Sequence, residues 1–265
     1  MNYKFSVLYP VHDDVVIKKI IKSINSILKN SLTPNEVLIM IDGKISCEKS
    51  LFFKNISQKF KYIRVIKNKK IGLTKILNKG IYLAKYDIIV RADSDDYNYK
   101  NRFKNQLDYF VKKKLDVLGC YLNERYDTSR LIRKTPKHPK IFLSMLINPI
   151  NHMTAVYKKK SIINLKGYPD IKYKEDMALW IKSIIHGLKI ENMAKTLVST
   201  DVDCKRYNKR KNYLSVISEF KLYLFILKIK PSFFIFGFFT TILRIFYLIL
   251  PIPFFKFIQI NFFRK

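Results

Sequence analysis

Cysteine is scarce in this chain and badly placed for metal or redox work. Cys47, Cys120 and Cys204 lie far apart, form no CxxC pair and have no histidine at ligand spacing. That excludes a zinc framework and a disulfide scaffold, and it points to a reducing, cytoplasmic environment. Also missing are a GxGxxG turn and a Walker A sequence, which argues against a dinucleotide-dependent dehydrogenase and a P-loop enzyme. The apolar run Phe5 to Val11 is too short for a secretion signal and meets His12, Asp13 and Asp14 at once, so export is not expected. Acid is short as well: 20 Asp and Glu stand against 51 Lys and Arg, a net charge of +31. Such a balance favours an anionic partner, whether nucleic acid, nucleotide or acidic membrane surface, although lysines scattered over solvated faces would account for part of it.

Against that scarcity, Asp93, Asp95 and Asp96 crowd into "RADSDD", residues 91–96. Like charges so close repel, so the stretch is either a water-exposed turn or a cation site. An EF-hand is excluded: counting from Asp93, Asn98 stands where the glycine belongs and Lys104 where the bidentate glutamate belongs.

What surrounds the cluster is regular. Strand-forming runs at 4–10, 35–43, 62–67 and 86–92 alternate with helical periodicity from about 15 to 28, 47 to 60 and 73 to 84. Asp13 or Asp14 is placed to cap the first helix. The alternation predicts an α/β domain with a mainly parallel, Rossmann-like sheet and helices on both faces. Ligands in such sheets gather at the carboxyl ends of the strands, where Pro10 and His12, Asp42, and the acidic cluster all fall. In an extended segment Asp93 and Asp95 would face the same side and offer two hard oxygen ligands to Mg2+ or Mn2+. Such an ion takes its other ligands from phosphate and water, so a nucleotide diphosphate is the fitting partner.

The order of motifs is more specific than any one of them. Asp42 after the second strand, "NKKIGLTKILNKG" (68–80), "RADSDD", "NPINHMTAVYKK" (148–159) and "GYPDIKYKEDMALW" (167–180) follow one another. This series resembles family 2 glycosyltransferases of the GT-A fold, of the kind that builds bacterial capsule or surface polysaccharide, over roughly residues 4–210. The resemblance implies a nucleotide-diphosphate sugar donor, most naturally a UDP-sugar, bound by Pro10, His12, Asp42, Gly72 and Asp93. His12 stands where relatives often carry a base-stacking tyrosine. Asp93 and Asp95 would hold Mn2+ or Mg2+, and transfer would invert the anomeric centre.

A sugar hydroxyl is a poor nucleophile, and Asp176 is the candidate base that takes its proton. Asn151, His152, Glu175 and Trp180 are implied to form the acceptor site. Equally, Glu175 and Asp176 could simply stabilise a helix N-terminus. Ala178, Met153 and Ile150 depart from the family's usual residues on this acceptor side.

The implied division is a catalytic domain over 1–215, with a nucleotide part of about 1–98 and an acceptor part of about 99–215, then a C-terminal hydrophobic and basic segment over 216–265. The basic run Lys205, Arg206, Lys209, Arg210 and Lys211 fits a diphosphate contact or a solvated linker equally. From Pro231 the chain is long and apolar enough to span a bilayer. Gly237, Thr240, Thr241 and Arg244 fall on one side of the helix, however, and a lipid-exposed arginine costs about 2.5–3.5 kcal/mol. Two segments in the interface of an anionic membrane at the cytoplasmic face are therefore expected, with a docked hydrophobic cap as the alternative. A tail of that kind suits a saccharide acceptor linked to polyprenyl diphosphate. The competing readings are a nucleic-acid-binding protein, motivated by charge and tyrosine content, and a transferase-like subunit that binds without turnover.

Overall fold

The computed structural model describes residues 3–126, 129–202, 212–250 and 254; the basic run at 205–211 lies outside them. The elements run β1 (Phe5–Val11), α1 (Ile17–Leu28), β2 (Glu36–Asp42), α2 (Cys47–Lys59), β3 (Ile63–Asn68), α3 (Leu73–Leu83), β4 (Ile88–Arg91), β5 (Asp96–Asn98), α4 (Arg102–Lys112), β6 (Val117–Arg125) and β7 (Arg130–Arg133). They continue with α5 (Ile141–Leu146), a 3-10 turn (His152–Thr154), β8 (Val156–Lys158), α6 (Lys159–Asn164), α7 (Glu175–Ile185), β9 (Ile190–Asp201), α8 (Tyr213–Ile229) and α9 (Phe234–Ile249).

Nine strands form one sheet in the order β3-β2-β1-β4-β8-β6-β9-β5, with β7 on β6. The first four are parallel, as the alternation predicts. Beyond β4 the sheet is mixed: β8 is antiparallel to both β4 and β6, β6 is parallel to β9, and β5 and β7 pair antiparallel with β9 and β6. The expectation of a mainly parallel sheet thus holds for the first half only. The strands that run antiparallel to their neighbours, β5, β7 and β8, are only three or four residues long, whereas the long β6 and β9, each following a helix, are parallel to each other.

Every residue of β1 and β2 is buried, the mark of strands covered on both faces. Val7, Tyr9, Ile39 and Ile41 join Ile20 and Ile24 of α1, Phe53 of α2 and Phe103 of α4 in one core. Leu8, Leu38 and Met40 meet Ile76 and Leu77 of α3 and Leu179 and Trp180 of α7 in the other. A third cluster joins Met145 of α5, Met177 and Ile181 of α7, and Leu222 and Ile226 of α8.

Two local expectations are corrected. β1 does not end at Pro10 but runs one residue further, to Val11. Leu8 turns its carbonyl to Ala92, so Pro10, two residues on, turns its nitrogen to the same side, where β4 has already ended and no ladder bond is lost. Asp13 does not cap α1, whose N-cap is Val16. Its carboxylate instead accepts from the Ser46 amide (3.1 Å) and pairs with Lys49 Nζ (2.8 Å), fastening the start of α2 and holding Asp13 below the usual carboxylate range.

Candidate active site

The carboxyl ends of β1, β2 and β4 carry the site. Asp42 ends β2, and its carboxylate accepts from the backbone N–H of Ile71 (2.7 Å) and of Gly72 (3.0 Å to Oδ2). It thereby ties β2 to the loop that opens α3. His12 Nδ1 lies 3.7 Å from Asp42 Oδ2 and the ring is half-exposed. Gly72 is the N-cap of α3 at φ +90°, a conformation an L side chain rarely adopts, and a Cβ added there would meet nothing within 4 Å. The glycine is required by backbone conformation, and the space before it is open.

The acidic cluster is a turn rather than an extended run: the Asp96 N–H approaches the Asp93 carbonyl at 3.3 Å, and β5 begins at Asp96. The expected alternation of Asp93 and Asp95 along a strand is therefore replaced by a turn that leads from β4 to β5 on the far side of the sheet. Ser23 Oγ donates to the Asp93 carbonyl (2.9 Å) and Tyr9 Oη to that of Ser94 (3.4 Å). Arg91, 1% exposed, pairs with Asp93 Oδ1 at 2.5 Å. Arg102, 0% exposed, donates to the carbonyls of Arg91 (2.7 Å) and Met153 (3.0 Å), to Gln106 (2.9 Å) and to Asn98. Burial pushes its guanidinium down to about 10, against the pull of Asp96 and Asp93. Two buried cations therefore stand behind the three carboxylates, and this is how a chain poor in acid tolerates them at one point. Neither arginine was singled out in the sequence, although Arg91 opens the motif.

The second acidic motif opens α7. Asp176 is half-buried; its Oδ2 accepts from Asn148 Nδ2 at 2.5 Å and its Oδ1 from the Met177 N–H at 2.8 Å, which fixes the plane of the carboxylate. Asn148, a residue of the quoted "NPINHM" stretch not chosen from sequence, is thus the side chain that holds the candidate base. His152 lies beside Tyr168 and Trp180. Its Nε2 lies 3.1 Å from Tyr168 Oη, burial and the nearby Arg91 lower its pKa, and both Asp176 and Asp93 act on it in the opposite direction.

Two residues expected to touch the acceptor are core instead. Trp180 is 0% exposed, packs against Tyr168, Tyr157 and His152, and supports the site from below. Asn151, 2% exposed, donates to the Cys120 carbonyl at 2.9 Å and pins β6. Each keeps one buried polar atom without a hydrogen-bond partner, Trp180 Nε1 and Asn151 Oδ1. Glu175 is half-buried at the mouth of α7.

Comparison with known proteins decides the family. Residues 6–168, well over half the chain, match the model described as glycosyl transferase family 2. The chain belongs to that family. It is 30% identical over 223 residues, 82% of its own length and 81% of the relative's, to the UDP-Gal:alpha-D-GlcNAc-diphosphoundecaprenol beta-1,3-galactosyltransferase of Escherichia coli. It is 25% identical over 258 residues, covering 96% of this chain and 97% of the relative, to the amylovoran biosynthesis glycosyltransferase AmsE of Erwinia amylovora. Its fold is that of S. aureus TarS 1–349, with a TM-score of 0.67 at 18% identity over 95% of this chain and 76% of that one. Against a longer TarS chain it spans 40% of that protein's length. The GT-A architecture is thereby established.

In this glycosyltransferase the acidic turn suits a shared rather than a caged cation. Among the described residues no group of three or more His, Cys, Asp or Glu side chains could hold a metal by itself. A pair of carboxylates, Asp93 and Asp95, both half-buried, is the kind of donor set that a hard divalent ion would complete with phosphate and water. Asp93 shares one oxygen with Arg91.

The enzyme's last two described helices differ from the rest. Pro231–Ile249 is the one stretch among the described residues long and apolar enough to cross a membrane. Yet α9 buries Gly237, Thr240, Thr241 and Arg244 and turns Phe234, Ile235, Phe239 and Phe246 outward. Arg244 Nε meets Glu219 Oε2 of α8 at 2.7 Å, so the arginine that counted against insertion in the sequence faces protein and carries no cost in lipid.

Proposed function

We propose that this enzyme moves a sugar from a UDP-sugar to a saccharide carried on polyprenyl diphosphate, with inversion, at the cytoplasmic face of the membrane. The E. coli relative is named for UDP-galactose and an undecaprenol-linked acceptor, and the outward apolar face of α9 suits a bilayer. The observation that supports the reading is the 148–153 segment, whose Asn148 donates to Asp176 while its Met153 carbonyl receives Arg102, which also donates to the Arg91 carbonyl at the head of the first acidic motif. A donor diphosphate at the first motif and an acceptor hydroxyl at the second would then lie close together.

The chemistry follows from what each group can do. Asp42, His12 and the open backbone at Gly72 receive the nucleoside. Asp93 and Asp95 would hold Mn2+ or Mg2+, which when bound supplies positive charge to the departing diphosphate. Asp176, oriented by Asn148 and the Met177 amide, takes the proton of the attacking hydroxyl, a contribution of about 10^2- to 10^4-fold. His152 remains neutral near pH 7 and shapes the wall between donor and acceptor.

The decisive experiment screens UDP-galactose, UDP-glucose and UDP-N-acetylglucosamine against N-acetylglucosaminyl-diphosphoundecaprenol in vesicles, with Mn2+ or with chelator, for wild type and Asp176→Asn. Turnover should need the metal and fall at least about 10^2-fold in the variant while donor affinity is kept. Equal turnover in Asp176→Asn would remove it as the base, and donor binding untouched by chelator would remove the metal.

A further inference from the structure

Glu219 is 1% exposed and lies in α8, away from both acidic motifs in sequence. It holds two cations at once: its Oε1 pairs with Lys174 Nζ and its Oε2 accepts from Arg244 Nε at 2.7 Å. A buried carboxylate with two cationic partners is costly to assemble and costly to break, so its placement asks for a reason.

Its two partners lead to the two sides of Asp176. Lys174 is the N-cap of α7, directly before Glu175 and Asp176, and its carbonyl receives the first-turn amide of Ala178 at 2.8 Å. Arg244 Nη1 donates to the carbonyl of Met145 near the end of α5. Three residues further on, Asn148 donates to Asp176 Oδ2. One arginine of α9 is thus connected to the carboxylate along both routes, through Glu219 and Lys174 on one side and through Met145 and Asn148 on the other. Apolar packing makes the routes stiff, since Met145, Ile171, Met177, Leu222 and Ile226 form one buried cluster around them. The seat of Arg244 is itself fixed: its Nη2 donates to Thr241 Oγ1 at 3.0 Å, and Gly237 lets α9 close on Tyr223, where an added Cβ would come within 3.2 Å.

We infer that Glu219 and Arg244 are positioning residues for Asp176, through which the seating of the apolar helix pair α8–α9 sets the geometry of proton removal. This rests on Asp176 being the base. Neither residue reaches the reacting atoms, so their removal should lower kcat and spare donor binding.

The test uses the full chain in phosphatidylethanolamine–phosphatidylglycerol vesicles, with the UDP-sugar of the panel that turns over fastest. Glu219→Gln keeps the shape and removes the charge, and the milder Thr241→Val removes the hydroxyl that anchors Arg244 and donates to the Gly237 carbonyl. Glu219→Gln should lower kcat about 10- to 100-fold with the donor KM within about twofold, as expected for a displaced catalytic group. Its loss should overlap with that of Asn148→Ala, the double variant being less impaired than the product of the two single losses. Hydrogen exchange over 141–150 and 172–180 should quicken in both Glu219→Gln and Thr241→Val. Unchanged kcat and exchange in these variants would overturn the inference, as would losses that multiply independently with Asn148→Ala. If Asp176→Asn is inactive while Glu219→Gln works normally, only this inference fails; if Asp176→Asn turns over normally, the assignment of the base fails first.

Discussion

Helices α1 and α9 are packed by opposite rules. α1 buries Ile20, Ile24 and Ile27 and turns Lys18, Lys22 and Lys29 outward. α9 buries glycine, two threonines and an arginine, while Ile235 is 80% exposed and Phe246 63%. Water sorts the first helix, because each buried isoleucine removes apolar area from solvent at about 25 cal/mol per Å². The same rule run backwards in α9 makes sense when the outer medium is itself apolar, for then the polar groups are the ones that must find partners inside. Thr240 and Thr241 find theirs at the Gly237 carbonyl (3.1 and 2.8 Å), and Arg244 finds Glu219. One chain thus carries two packing codes, the second of which would suit an apolar medium, and substitutions can separate them.

The largest effect is expected on the inner face of α1. Ile24→Ala should cost about 2–5 kcal/mol, since the side chain is lost and the cavity beside Val7 and Phe53 cannot fully collapse. Thermal denaturation should show a fall in Tm of roughly 5–15 °C. Next is the outer face of α9. Phe239→Ser with Phe246→Ser should leave folding stability nearly untouched, because neither ring is buried, yet weaken partition into phosphatidylglycerol-containing vesicles by tenfold or more, about 1.5–3 kcal/mol per fully seated ring. Vesicle flotation reads this directly. Unchanged partition would mean that water, or another protein surface, is the medium α9 meets.

Smaller again is the effect of making α9's inner face more apolar. Gly237→Val adds the kind of side chain that would strengthen a helix sorted by water. Here it should destabilise by about 1–3 kcal/mol, because its Cβ would meet the Tyr223 ring at 3.2 Å and force α8 and α9 apart. The gain in helix propensity, under about 1 kcal/mol, does not offset that. Urea unfolding followed by circular dichroism would detect the change, and a stabilised variant would show that the close approach is not needed.

The two codes also explain what was legible in the sequence. The parallel half was readable almost to the residue, since strands buried on both faces and helices with one apolar stripe each have their own period. On α9 the period was readable but the direction was not: Gly237, Thr240, Thr241 and Arg244 stand on one face in any medium, and only the partners Glu219 and Met145 show that this face points inward. The site divides in the same way. Asp93, Asp95 and Asp176, the residues proposed to carry the chemistry, are carboxylates within motifs and so could be named. Arg91 pairs with Asp93, Asn148 holds Asp176, and Arg102 braces the Arg91 backbone behind them, none of which a motif announces; Trp180 and Asn151 looked like ligand residues because nothing local reveals that a side chain is buried.

The finest test lies on the outer face of α1. Lys18, Lys22, Lys29 and Lys100 line an open groove of about 810 Å³ beside Tyr97, and Lys18 and Lys22 are four residues apart on the helix. Such like charges repel by a few tenths of a kcal/mol, so Lys22→Glu should stabilise the fold by no more than about 0.5 kcal/mol. Because the pair is exposed, the gain should shrink as ionic strength rises and the screening length falls below about 10 Å. Lys22 touches lipid nowhere if α1 follows the aqueous code, so partition into uncharged phosphatidylcholine vesicles should be the same for Lys22→Glu and wild type. A loss there would put α1 against the bilayer beside α9, and the contrast between the two helices would become a division between charged and apolar parts of a single membrane face.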